Sequence, residues 1–213
     1  QQSEVESREL QNIAGQRALE AQLSGMSVAM QDADQQFSRD LVAACLWAAA
    51  DETIALGEEE CATLFAICHQ RSFKSELTLG DRTSGDPRTA SASNDAPSPP
   101  LRRLLGAVIR RCDGPSAYPA MALAIHFDFS EGLSPAERLL RSGAGRAQQL
   151  QVAIFTIARF GNREHASLLE TQFANAARCA FHRADDVEYV AEIRDLALAA
   201  AWHVSGIDPR ERG

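Results

Sequence analysis

Along most of this chain the apolar residues recur at spacings of three and four, the period of a helix with one side against a core. Residues 4 to 23 are polar with a thin apolar stripe of Leu10, Ile13, Arg17-Ala18 and Leu23, which predicts an amphipathic helix. Phe37 to Leu56 is apolar nearly all round between Leu41 and Ala50, the pattern of a buried helix, and Gly57 is placed to end it in a left-handed conformation. Glu58-Glu59-Glu60 then opens a helix to about Phe73. Three carboxylates in a first turn complement the positive end of the helix dipole, or alternatively bind a cation.

From about Thr78 to Pro100 the pattern stops. Gly80-Asp81-Arg82-Thr83-Ser84-Gly85-Asp86-Pro87 leads into Ser, Ala and Asn and then Pro-Ser-Pro-Pro. Too little can be buried here to offset the entropy of ordering it, which predicts a flexible excursion of roughly twenty residues, a linker between domains or an insertion in one array. Helical spacing resumes at Leu101 to Asp113, with Leu104, Leu105, Val108 and Ile109 on one side and Gly114 closing the helix. Ala117 to Phe127 follows, with Pro119 in the first turn where the missing N–H costs nothing. Ser134-Pro135-Ala136-Glu137 reads as a capped helix start, leading to Arg141, and Ser142-Gly143-Ala144-Gly145 as a hinge. The expected divisions are N-terminal helices over 1–77, the excursion over 78–100, helical repeats over 101–206 and a tail over 207–213.

Two later helices align with each other. Leu150 to Gly161 and Asp195 to Gly206 lie 45 residues apart, pairing Val152 with Ala197, Ile157 with Trp202 and Gly161 with Gly206. Gly114, 47 residues before Gly161, also follows an apolar helix. A period in the forties built of helix, turn and helix is that of a stacked-pair solenoid, in which each pair buries its apolar face only against its neighbours. Arg163 to Ala176, with Leu168, Leu169 and Phe173, would be the outer helix of the last pair and Val187 to Val204 the inner one. Strand signals are missing: no Asn-Gly or Asp-Gly stands between alternating Val, Ile and Thr residues.

The segment Ile193-Arg194-Asp195-Leu196-Ala197-Leu198-Ala199-Ala200 resembles the inner-helix pattern of the HEAT-repeat (armadillo-like) superfamily, an aliphatic-Arg pair followed by spaced small residues. Gln148 to Gly206 as a whole is similar to bacterial HEAT-like domains, residues 101–143 resemble them loosely, and residues 1–77 match only as generic helices. The resemblance implies an all-α fold, a right-handed stack of antiparallel helix pairs, acting as a scaffold without chemistry of its own. Two positions depart from it: Gln151 stands near the expected Arg, and Phe181 to Val187 makes a long connection inside the last pair.

Charge sharpens this picture. Residues 1–100 hold 7 Lys+Arg against 16 Asp+Glu and residues 101–213 the remaining 14 and 13, so the net −8 falls almost wholly on the first half. An acidic chain repels phosphate backbones, which argues against a nucleic-acid partner. No run of eighteen apolar residues is present, so no membrane span is expected. Five cysteines (Cys45, Cys61, Cys68, Cys112 and Cys179), an odd number without a Cys-x-x-Cys pair, read as reduced core thiols and favour a reducing, cytoplasmic compartment. A start at Gln1 rather than Met is expected of a fragment or a processed product.

Candidate chemistry is thin. Cys61 and Cys68 share a helix face but His69 points away from it, and Cys179 and His182 are only two ligands, so neither group makes a metal site. Gly143-Ala144-Gly145-Arg146 lacks the preceding strand and the Gly-Lys-Ser ending of a phosphate-cradling loop. The serines cluster in the flexible excursion, which cannot pre-organise a nucleophile. No catalytic residue, metal or cofactor is predicted. Binding candidates are Arg102, Arg103 and Arg110 in a basic cluster with Arg111, and Arg159, Arg163, Arg194, Asp195 and His203 around the repeat helices. Arg194 and Asp195 also suit a structural reading, tying repeats together or capping a turn. The expected function is a non-catalytic scaffold for a protein partner. The alternative is an enzyme on a HEAT-like frame, of DNA glycosylase or chromophore lyase type, for which Trp202, Tyr189 and Asp195 are the one suitable grouping.

Overall fold

The first helix, α1, runs Gln2–Ala29 and buries Leu19, Leu23 and Met26, spaced four and three apart. Leu23 of the expected stripe is among them, while Ile13 stands 49% exposed. The computed structural model describes residues 2–29, 37–68, 100–184 and 187–208. The expected extension of the third helix to Phe73, the excursion over 78–100 (up to Pro100, which opens a helix), His69 and the end of the tail lie outside these.

Helix α2, Arg39–Ala50, starts where the Ser38 hydroxyl accepts the Leu41 N–H at 3.3 Å. It buries Val42, Cys45, Leu46 and Ala49 but turns Trp47 outward, 69% exposed, so it is not buried all round as its apolar sequence predicts. It also stops before the expected Leu56. The Asp51 carboxylate accepts the Thr53 N–H at 2.9 Å and the Thr53 hydroxyl at 2.7 Å, a local turn that competes with further helix. Gly57 does not end it: left-handed glycines among the described residues are Gly114, Gly143 and Gly206. Helix α3, Glu58–Cys68, opens on the three glutamates and buries Cys61, Leu64, Phe65, Ile67 and Cys68. Helix α4, Pro100–Arg111, has proline at its first position and buries Leu105, Val108 and Ile109. α1 packs on α2 and α3, and α2 on α4. At the end of α4, the Arg111 guanidinium donates to the carbonyls of Ala49 at 2.7 Å, Asp51 and Ile54, holding the chain that leaves α2.

These helices form one compact unit, Gln1–Arg111; Cys112–Gly213 forms a second. Helix Pro100–Arg111, which the sequence groups with the later repeats, thus belongs to the first unit. The second unit opens on a reciprocal cap: the Asp113 N–H donates to Ser116 Oγ at 3.2 Å, and Asp113 Oδ1 accepts the Gly114 N–H at 2.7 Å. Gly114 does not end the preceding helix, which stops at Arg111; at φ 52 it begins a short 3-10 turn. Helix α5, Ala117–Phe127, ends at Asp128, a left-handed non-glycine at φ 61. Helix α6, Leu133–Ser142, begins one residue before the expected Ser134 cap, after a 3-10 turn over Ser130–Gly132. Ser134 Oγ accepts from Arg138 at 2.8 Å instead, and a Cβ on Gly132 would meet that of Ala124 at 2.5 Å. Helix α7, Ala147–Phe160, ends at Gly161 in an extended conformation, and a 3-10 turn at Arg163–His165 leads to the short α8, Ala166–Glu170.

Here the structure departs most from the sequence reading. The expected outer helix over 163–176 reaches only Glu170, and the expected inner helix over 187–204 begins at Ile193. Between them an antiparallel hairpin pairs β1, Arg178–Ala184, with β2, Val187–Glu192, placing Phe181 opposite Val190. The strands have no hairpin signature because residues 185 and 186 are Asp-Asp and the flanking residues mix Arg, His and Glu with β-formers. Helix α9, Ile193–Ser205, ends at the left-handed Gly206, and the Ile207 N–H returns to the Trp202 carbonyl at 2.9 Å. Among the described residues the protein is thus mostly helical, with nine α-helices and one hairpin. α7 lies against α5, α6 and α9. Ala153, Ile154 and Ile157 of α7 share a buried core with Ala197, Ala200 and Ala201 of α9, and alanine on α9 lets the two backbones approach.

Candidate functional site

The second unit holds a polar cleft of about 400 Å³ where α6 meets the start of α8, lined by Glu137, Arg141, Glu164, His165, Ser167 and Thr171. His165 ends the 3-10 turn that Gly161 permits: a Cβ at Gly161 would stand 2.5 Å from the Ile157 carbonyl and 3.3 Å from the imidazole. His165 Nδ1 lies 3.1 Å from the Asn162 N–H and 3.0 Å from Asn162 Oδ1, and Nε2 lies 3.1 Å from Glu137 Oε1. Asn162 Oδ1 accepts the Glu164 N–H at 3.0 Å, and Glu137 Oε2 accepts from Arg141 at 2.7 Å. The imidazole is largely enclosed, at 14% side-chain exposure, with a partner on each nitrogen. The arrangement ties α6 to the α7–α8 turn.

The first unit has a cleft of similar size between α1 and α3, where Glu20, Glu59 and Glu60 meet Ser24, Ser27 and Thr63. Two of these carboxylates lie in the first turn of α3 and the third accepts from Gln16 at 2.9 Å.

The residues singled out in the sequence fall in both units: Arg102, Arg103 and Arg110 in the first, the others in the second. Arg102 is buried in α4, while Arg103 and Arg110 are exposed. Arg111, their companion, is turned inward on α2. Arg159 reaches the Asp128 carboxylate at 3.1 Å and lies over the Phe160 ring at 5.5 Å. Arg163 and His203 are exposed. Arg194 Nε is 2.7 Å from Glu192 Oε2. Asp195 accepts the Glu192 N–H at 3.0 Å while the Glu192 carboxylate accepts the Asp195 N–H, a capping box at the start of α9. The first N–H groups of α9 are also satisfied: Ile193 and Arg194 donate to the carbonyls of Ala177 and Asn175, each at 2.9 Å. Asp195 is therefore committed to its own helix, two turns from the half-buried Trp202.

The thiols sit in apolar surroundings. Burial pushes the Cys68 thiol up to about 12 and raises that of Cys45. Cys179, half-buried beside the hairpin, donates to the Ala191 carbonyl at 3.3 Å, and burial first and then the Asp195 charge raise it. None of these three is poised as a thiolate nucleophile. Among the described residues no three His, Cys, Asp or Glu gather as metal ligands, and no helix is long and apolar enough to cross a membrane.

The sequence reading misses what the second unit leaves uncovered. Phe155, Phe173, Phe181, Val190 and Leu198 are between 37% and 63% exposed, with Phe181 and Val190 directly opposed on the hairpin. Helical spacing assigns such residues to packing. For Phe181 and Val190 the exposure goes with the hairpin standing where a helix is expected, which periodicity could not reveal. In comparisons with protein-family models, curated proteins and solved structures, none matches this chain.

Proposed function

We propose that this chain is a non-catalytic scaffold that binds a protein partner, built as a right-handed HEAT-like stack of antiparallel helix pairs. The direct packing of α7 on α9, the helices that align 45 residues apart, supports the repeat reading, because equivalent helices of stacked pairs share one core. The observation that carries the binding function is the apolar surface of the second unit. Phe155, Phe181, Val190 and Leu198 are left in water, while His165, Glu137 and Asp195 are spent on holding turns and caps. Phe181 and Val190, directly opposed and both exposed on the hairpin, supply the adjoining apolar side chains that partners bind. The net charge of −8 disfavours a nucleic acid as that partner.

A photo-crosslinking residue placed at position 181 in cells tests this. The expected result is one discrete protein adduct, lost when Val190 and Leu198 become serine and absent when the crosslinker sits at the exposed Ser142. Equal adducts from both positions, or none from 181, would overturn the reading.

A further inference from the structure

We draw no further inference here: the strongest candidate, the exposed apolar face of the β1–β2 hairpin around Phe181 and Val190, is the surface on which the proposed function already rests, and nothing in the structure shows what covers it.

Discussion

The two units of this protein hold their chain turns in different ways. In the first unit the stretch leaving α2 is tied down by Arg111, a residue 57 to 62 positions away in the sequence. In the second, three turns carry their own ties between residues three positions apart, Asp113 with Ser116, Asn162 with His165, and Glu192 with Asp195, alongside the longer ties of His165 to Glu137 and Arg159 to Asp128. A local cap forms along with its helix and costs little chain entropy, whereas a remote clamp exists only after the helices have packed. The first unit should therefore lose order in one step when its clamp is removed, and the second should tolerate the loss of any one cap.

Four changes test that contrast, from the largest effect to the smallest. Ile157→Ala empties the core between α7 and α9 and should cost about 3 kcal/mol, as buried aliphatic truncations do, read from urea unfolding. A cost below about 1 kcal/mol would mean that α7 and α9 do not pack as described. Arg111→Ala leaves three backbone carbonyls without their charged donor and should cost about 2 kcal/mol. Mass-resolved thiol labelling should then show Cys45, Cys61 and Cys68 reacting faster while Cys179 stays as it was. Arg111→Lys should restore only part of the protection, since an ammonium lacks the planar fork. Unchanged labelling of all four would remove the clamp from the account.

Asp195→Ala breaks one half of a capping box and should cost about 1 kcal/mol, with Asp195→Asn nearer to neutral because an acceptor remains. Chemical unfolding of both variants checks the order. The smallest effect concerns pH. The Thr53 N–H, then its hydroxyl, and the Arg111 charge hold the Asp51 carboxyl below its ordinary value. A group depressed on folding contributes stability above its unfolded value and loses it as pH falls, here below about pH 4. Because the carboxylate is fully exposed, Asp51→Asn should flatten the acid limb of the first unit's stability only slightly. A steeper acid limb in that variant would reverse the sign.

The same contrast explains what could be read from the chain beforehand. Helices within Phe37 to Leu56, from Glu58 onward, over Ala117 to Phe127 and from Leu150 to the glycine at 161 are written in local spacing, and the structure places a helix in each stretch. A helix stop at Gly206 is legible for the same reason, and the structure gives that glycine a left-handed conformation. Arg111 was not: in the sequence it is one of four arginines on a helix, and only tertiary packing turns it inward while Arg103 and Arg110 face water. The hairpin was missed because its residues carry helical as well as strand spacing and no hairpin turn signal. With it went the exposed pair of Phe181 and Val190. Asp195, which the sequence offers both as a binding residue and as a cap, caps the start of α9.

The proposal that this surface binds a partner meets its most direct test in one affinity measurement. Binding of the partner captured at position 181 should weaken at least tenfold when Phe181 and Val190 are both serine, about 1.4 kcal/mol or more. It should stay unchanged in His165→Ala, provided circular dichroism shows both variants folded. Loss of binding in His165→Ala with full binding in the serine variant would contradict the account.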